Sequence, residues 1–276
     1  MRVSRWHKDC GDHVEIYDAW KGWRWYDKIY VFSLFDFTEK RDTPPNAICG
    51  GTGFSLETML SPEIDISQYD WDLYPACDYS LIWFSRGCIR NCPFCVVRQK
   101  EGGIHPVEPK NLNPNGKYIK VMDNNFFANP RWREAIEVLF YWGQPCDFQG
   151  VDARILTLEM CNALILLKHH KQIHIAWDNP RESMVPKFRE IIETIKPYRL
   201  MCYVLIGYWS TEAEDIMRVE ALRELKIDPF VMPYCRTDPY QKGLARYVNM
   251  KAEFKSQTWD EYKKRKGVPN GPGTIQ

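Results

Sequence analysis

Residues 85–95, SRGCIRNCPFC, place three cysteines within eight positions, with the spacing C-x3-C-x2-C. A closed zinc site needs four ligands, which usually come from two separated pairs. Three thiolates on one short loop instead leave a coordination position open, as on a 4Fe–4S cluster whose fourth iron binds another molecule. Gly87 and Pro93 suit a loop that wraps closely around an inorganic core. The loop therefore predicts a three-thiolate metal site.

Two other interpretations of this loop stay open. The cysteines could be unrelated residues in a turn, although their spacing argues against it. They could also belong to a structural zinc site, but no nearby Cys or His is an obvious fourth ligand. The nearest candidate is His105, which lies in a connection rich in Gly and Pro.

With Phe94 before the third cysteine, the loop resembles the signature motif of the radical S-adenosylmethionine (SAM) superfamily. The resemblance implies that Cys88, Cys92 and Cys95 ligate a 4Fe–4S cluster and that SAM chelates its unique iron. It further implies reductive cleavage of SAM to a 5′-deoxyadenosyl radical, which abstracts hydrogen from a substrate. An electron donor such as flavodoxin or ferredoxin would serve such an enzyme. The substrate is not predicted.

Composition gives no signal for several other classes of protein. The chain has 276 residues with 37 basic and 36 acidic side chains, so its net charge gives no signal for nucleic-acid binding. Its apolar runs are too short to span a membrane, and its start lacks a signal-peptide core. We therefore expect a cytoplasmic protein. Its ten cysteines should stay reduced, and the seven outside the loop are scattered singly.

Residues 1–78 form a predicted small α/β segment with a connector. A helix over 2–7, strands over 14–17 and 28–34, and a strand entering the glycine-rich turn 48–53 are expected. The glycines are interpreted as a structural turn, because the P-loop and dinucleotide spacings are absent. The segment resembles the truncated, Rossmann-like cobalamin-binding domain that precedes some radical SAM barrels. Its Asp-x-His-x-x-Gly pattern is missing, so cobalamin is not predicted.

A rhythm of strand, loop and helix follows over residues 79–254. Predicted strands cover 79–84, 118–122, 147–151, 173–177, 200–206 and 229–232; predicted helices cover 130–142, 156–169, 186–195, 211–225 and 241–254. Alternation implies parallel strands with right-handed crossovers. Six units favour an α/β fold with a partial (β/α)6 TIM-like barrel, which is also the radical SAM architecture. Residues 255–276 form a polar tail with a helix over 259–266 and disorder after it.

Ligands of parallel α/β arrays bind at the carboxyl ends of the strands. By resemblance, Asp123 and Asn124 stand where the family has a Gly-Gly-Glu-like segment for the SAM amino group. Helix capping by Asp123 is the alternative. Asp152 and Arg154 follow the next strand, and Arg154 has the fork geometry for the SAM carboxylate. An ion pair between these two side chains explains them equally well.

The remaining predicted contacts lie after the later strands. By resemblance, Asp178 or Asn179 is expected to reach the ribose hydroxyls of SAM, and an Asx turn explains these residues equally well. By resemblance, Gly207 and the backbone near Tyr234 lie against adenine. The sequence His169-His170 is interpreted as a polar helix end, with metal binding as a weaker alternative. Two hypotheses of function result: a radical SAM enzyme, or a non-catalytic zinc or iron–sulfur interaction protein.

Overall fold

The computed structural model describes residues 1–273 of the chain. They form two compact units, of which the first is Met1–Lys117 and the second begins at Tyr118. Each unit combines helices with parallel strands, which confirms the predicted α/β class. No closed barrel is present among the residues described. The predicted partial barrel and the predicted three-part division of the chain stay predictions.

The first unit contains short elements joined by long loops. Its elements are α1 (Arg2–Asp9), β1 (Tyr30–Phe32), β2 (Ile48–Gly50), α2 (Pro62–Asp65), β3 (Tyr79–Ile82), β4 (Ser85–Arg86), α3 (Val97–Glu101) and β5 (His105–Pro106), with a 3-10 turn at Trp23–Trp25. Strands β1 and β2 pair in parallel, with Tyr30 opposite Ile48. Strands β4 and β5 pair antiparallel, with Ser85 opposite Pro106.

The strand predicted over residues 14–17 is wrong, because these residues have no regular secondary structure. The Glu15 carboxylate accepts hydrogen bonds from Lys21 Nζ at 2.5 Å and from Tyr26 Oη at 2.8 Å. These bonds fold the segment back on itself as a loop. A short alternating run becomes a strand only when a neighbouring strand pairs with its backbone, and here the partners are side chains.

The glycine-rich turn after β2 packs against the backbone that follows β1. Gly51 has a positive φ of 87°, and a Cβ atom there would lie 2.4 Å from the Ser33 carbonyl oxygen. The amide of Gly53 donates to that same oxygen at 2.9 Å. Glycine is needed here for close backbone approach, in agreement with a structural turn.

The second unit contains the regular alternation expected from the sequence. Its elements are β6 (Tyr118–Val121), α4 (Trp132–Trp142), β7 (Cys146–Phe148), α5 (Leu158–Leu166), β8 (Ile173–Ala176), α6 (Val185–Thr194), β9 (Leu200–Ile206), α7 (Glu212–Glu224), β10 (Asp228–Pro233), α8 (Pro239–Asn249), α9 (Lys251–Ser256) and α10 (Trp259–Lys266), with 3-10 turns at Phe126–Ala128, Ala153–Ile155 and Pro197–Arg199. The helix predicted over 259–266 is confirmed. The disorder predicted after it falls partly on residues 274–276, which lie outside the described residues.

Two predicted helices differ from the prediction: one ends early and the other is divided into two. Helix α5 stops at Leu166, since the backbone groups of Lys168 and His170 hydrogen-bond to Cys146 at 2.8 and 2.9 Å. The predicted helix 241–254 is divided at Met250 into α8 and α9. Before this break, the Asn249 amide side chain bonds both backbone groups of Val231, at 2.8 and 2.9 Å.

The strands of the second unit are parallel and place their carboxyl ends together. Strands β6 and β7 pair with Ile119 opposite Cys146, and strand β9 pairs with β8 on one side and β10 on the other. One face of β9 is fully buried at Leu200, Cys202 and Val204. Burial of such apolar side chains contributes roughly 1.5–3 kcal/mol each to folding. This core holds the strand ends, and the loops that follow them, in fixed positions.

Candidate functional site

The three-cysteine loop is an excursion between the antiparallel strands β4 and β5. The pairing of Arg86 with His105 closes its base, and α3 forms its returning limb. The Arg90 amide donates to Cys88 Sγ at 3.3 Å, and the Cys95 amide donates to the Cys92 carbonyl at 2.9 Å. The loop backbone therefore already turns around one of the sulfur atoms.

Glycine and one carboxylate fix the entry into this loop. Gly87 has a φ of 76°, and a Cβ atom there would lie 2.2 Å from the Gly103 carbonyl oxygen. The Glu101 carboxylate accepts from the Gly87 amide at 2.9 Å and from Arg86 Nη2 at 2.5 Å. Arg98 Nη1 donates to the Cys88 carbonyl at 2.8 Å. Side chains of α3 thus fix the backbone on which the first cysteine sits.

The three thiols reach the surface. Cys88 and Cys92 are half-buried and Cys95 is exposed. Among residues 1–273, no group of three or more His, Cys, Asp or Glu side chains is arranged to hold a metal ion. The donor set nevertheless fits a three-thiolate cluster, because all three sulfurs lie on one loop and a backbone amide already donates to one of them. His105 is exposed, and its Nδ1 is 2.9 Å from the Gly103 carbonyl oxygen.

The loop after β7 approaches the loop after β6 closely at Gly150. A Cβ atom on Gly150 would lie 2.3 Å from the Asp123 carbonyl oxygen and 2.5 Å from that of Asn124. Asn125 Nδ2 donates to Asp152 Oδ2 at 3.3 Å. The predicted residues Asp123, which is buried, and Asn124 are therefore brought next to the predicted Asp152.

Arg154 forms a fork with Asp152. Its Nε is 2.7 Å from Asp152 Oδ1 and its Nη2 is 3.1 Å from Asp152 Oδ2, while Nη1 is 3.3 Å from Glu182 Oε2. Glu182 comes from the loop after β8, so Arg154 joins two strand ends. The ion pair that the sequence left as an alternative is formed, and the guanidinium already has carboxylate partners on two sides.

Asp178 follows β8 and bonds to the neighbouring strand. Its Oδ1 accepts from the Leu205 amide at 3.3 Å, and burial raises its pKa above the ordinary value of 3.8. Asn179 Oδ1 accepts from the Arg181 amide at 3.0 Å, which forms the expected Asx turn. The carboxylate of Asp178 thus continues the hydrogen bonding between β8 and β9 beyond the end of β8.

The side chain of Gln241 contacts both the loop after β9 and the loop after β10. Gly207 has a φ of 75°, and a Cβ atom there would lie 2.1 Å from Gln241 Nε2. Gln241 Oε1 accepts from the Cys235 amide at 2.8 Å, which ties the second loop to the first. The Tyr234 ring is 4.8 Å from that of Tyr208 and is 55% exposed. Gln241 therefore joins the loop that contains Gly207 to the loop that contains Tyr234.

Sequence reasoning missed a buried polar network beneath these loops. Arg218 is fully buried, and its guanidinium donates to Asp215 Oδ1 at 2.6 Å and to the Trp177 and Asp178 carbonyls at 2.9 and 3.2 Å. Tyr240 Oη donates to Asp215 Oδ2 at 3.0 Å. The sequence contained a signal for this network. Positions 215, 218, 219 and 222 share one face of a helix, and charged residues at two of them indicate a buried ion pair.

The histidines near β8 enter three different environments. His169 follows the end of α5, and its Nε2 lies 2.7 Å from the carbonyl oxygen of Leu164 in the last turn of that helix; burial lowers its pKa. His170 stacks on Tyr118 with ring centroids 3.6 Å apart. His174 faces Asp147 across 3.5 Å, and burial lowers its pKa as well. They do not form a metal site among the described residues.

Comparison with protein-family models and with curated protein sequences finds no match to this chain. Among the described residues, no helix combines the length and the apolar character that crossing a membrane requires.

Proposed function

We propose that this protein is a radical SAM enzyme in which Cys88, Cys92 and Cys95 hold a 4Fe–4S cluster. The supporting observation is the loop itself: three cysteine thiols on an excursion closed by β4 and β5, with the Arg90 amide directed at Cys88 Sγ. Such a cluster, when bound, would supply the electron that cleaves SAM and yields a 5′-deoxyadenosyl radical for hydrogen abstraction.

The proposal includes the partial (β/α)6 barrel. Its support within the second unit is that parallel strands follow one another in chain order, and that a helix follows each strand. This is the arrangement that right-handed βαβ connections generate. In such arrays, ligands bind at the carboxyl ends of the strands. The hydrogen-bonded loops that follow the strands of this unit lie at those ends.

The chain's own residues have distinct roles in the proposal. The Asp123 carboxylate would accept hydrogen bonds from the SAM ammonium group, with Asn124 beside it. Asp178 and the backbone at Gly207 and Tyr234 would contact the nucleoside. Arg154 would contact the SAM carboxylate while it stays paired with Asp152. The carboxylate would therefore meet an ion pair whose charges are already balanced.

The test is anaerobic reconstitution with iron and sulfide, followed by dithionite and SAM. We expect about four irons per chain, broad absorbance from sulfur-to-iron charge transfer, and release of 5′-deoxyadenosine. Cys92→Ala should abolish all three. Cys10→Ala changes an exposed thiol of the same unit that lies outside the loop, and should abolish none.

Two results would contradict the proposal. Iron-loaded protein that forms no 5′-deoxyadenosine would exclude the radical reaction. Protein that takes up zinc and shows no charge-transfer absorbance would favour the non-catalytic metal-binding alternative. The proposal also includes a cytoplasmic location and a flavodoxin or ferredoxin as electron donor. Its support is that none of the ten cysteines, all of which lie among the described residues, is in a disulfide, which fits a reducing compartment.

A further inference from the structure

A chain of hydrogen bonds in the first unit links a carboxylate, an imidazole and a phenol. Asp12 Oδ2 is 2.6 Å from His7 Nδ1, and His7 Nε2 is 2.9 Å from Tyr30 Oη. The His7 side chain is buried, whereas that of Asp12 is 55% exposed. Neither the cysteine loop nor the strand ends of the second unit includes these three residues.

The order of donors in this chain follows from the chemistry of its members. An ionised carboxylate can only accept, so the proton on the neutral imidazole lies on Nδ1, which faces Asp12. The other ring nitrogen, Nε2, then carries a lone pair, and the Tyr30 hydroxyl must donate to it. A nucleophile bonded to a base, with the base oriented by a third group, is the geometry of an activated nucleophile.

Each member is held by a separate structural element. His7 lies in α1, where the edge of the Trp6 ring packs on the imidazole with centroids 4.7 Å apart. The Asp12 amide donates to the His7 carbonyl at 3.0 Å, which fixes the carboxylate beside the ring. Tyr30 begins β1, so its backbone is fixed by pairing with β2. The phenol and its base are therefore preorganised.

An apolar ring lies beside the phenol. Phe32, two residues along β1, is nearly parallel to the Tyr30 ring, with centroids 6.4 Å apart, and is 53% exposed. An exposed aromatic ring beside a nucleophile can pack against the apolar part of a ligand. A ligand with an apolar group next to an electrophilic carbon would meet both features.

We propose that Tyr30, His7 and Asp12 form an acyl-acceptor site for activated esters whose acyl group is apolar. Tyr30 Oη attacks the acyl carbon, and its proton passes to His7 Nε2. The oxygen–carbon bond to the phenol forms as the bond to the leaving group breaks. The proton then leaves His7 with the departing oxyanion. Asp12 acts as a positioning residue that keeps the imidazole in the required tautomer.

Tyr26 provides a matched control within the same unit. Its hydroxyl donates directly to the Glu15 carboxylate at 2.8 Å, without a histidine between them. If a tyrosine hydrogen bond alone were sufficient for reactivity, both side chains would be acylated at similar rates.

The experiment treats the full chain with p-nitrophenyl acetate and follows p-nitrophenolate release together with acetylation by peptide mass spectrometry. We expect Tyr30 to be acetylated in a burst, and roughly 10²-fold more slowly in His7→Ala, the lower range for loss of a general base. Added imidazole should raise the acetylation of Tyr30 in His7→Ala more than that of Tyr26 in the same sample. The comparison is needed because imidazole also forms acetylimidazole, which acetylates exposed tyrosines without a base beside them. Asp12→Asn should lose the burst and Asp12→Glu should retain most of it.

Two results would overturn the assignment. In the wild-type protein, acetylation of Tyr30 no faster than that of Tyr26 would mean that the three residues only anchor α1 to β1. A His7→Ala protein with native circular dichroism and an unchanged Tyr30 rate would have the same meaning. Because acetylation is read at Tyr30 itself, reactions of cysteines or lysines with the reagent do not affect either outcome.

Discussion

Replacing Arg218 with Met tests whether the buried network holds the strand-end loops of the second unit. Arg218 and Asp215 are both fully inaccessible to solvent. The substitution keeps most of the side-chain volume and removes the guanidinium. It leaves the Asp215 carboxylate buried without its cation, and it removes the donor to the Trp177 and Asp178 carbonyls.

The expected loss is large because a buried charge is left uncompensated. Breaking a buried ion pair by removing one partner costs about 3–5 kcal/mol. Domain stabilities lie at about 5–15 kcal/mol, so this loss is roughly a fifth of the total or more. With a urea m-value of about 2 kcal/mol/M, the unfolding midpoint should fall by about 2 M.

Urea unfolding followed by circular dichroism measures this change, and Arg133→Met is the matched control. Arg133 also forms a fork with a carboxylate, Glu159, at 2.7 Å for both contacts, but its side chain is 62% exposed. An exposed pair contributes only about 0–1 kcal/mol. If Arg218→Met lowered the midpoint no more than Arg133→Met, the network would not hold these loops. Replacing Asp215 by Leu as well should recover part of the loss, since no unpaired charge then remains.

Three further predictions concern the cysteine loop and the strand ends. Glu101→Gln removes the ion pair to Arg86 and should weaken the loop by about 1 kcal/mol, seen as faster bleaching of the reconstituted cluster in air; an unchanged bleaching rate would contradict it. Asp178 has a raised folded-state pKa, so the stability it contributes is present at low pH and is lost as pH rises through that pKa. The free energy of unfolding of wild type relative to Asp178→Asn should therefore fall in urea titrations as pH rises above 3.8, the ordinary pKa of the carboxyl group, and a constant difference would count against it. Gly207→Ala meets Gln241 at 2.1 Å and should raise the urea sensitivity more than Gly143→Ala, which also has positive φ but meets no atom closer than 4.0 Å; equal effects would refute the packing argument.

The sequence predicted the elements of the second unit well because their signals are local. Apolar residues at helical spacing and β-branched runs bounded by turn residues are properties of short windows. Strand β9 is confirmed with the bounds that were predicted, and α10 likewise. Errors arose where a long-range contact changed the outcome. Lys168 and His170 bond to Cys146 and so end α5 early, and no window around residue 166 contains that information.

For the candidate site too, the sequence predicted the features that lie in one short segment and missed those that depend on contacts between segments. The spacing of Cys88, Cys92 and Cys95 identified a loop that the structure places between β4 and β5. It did not indicate that Glu101 fixes the loop, because a single carboxylate six residues after the last cysteine carries no pattern. At the strand ends, the sequence could name Asp152 and Arg154 but could not decide between a ligand contact and their mutual ion pair, which the structure contains.

The sequence by itself determined the α/β class, the order of strands and helices in the second unit, and the three-thiol loop, since residue spacing and periodicity encode them directly. Tertiary structure alone decided which charged groups meet. Arg218 reaches the carbonyls of Trp177 and Asp178 some 40 residues away, and His7 reaches Tyr30 across 23 residues. Such contacts depend on how separate elements pack, because a buried polar group takes whichever partner the fold brings within hydrogen-bonding distance.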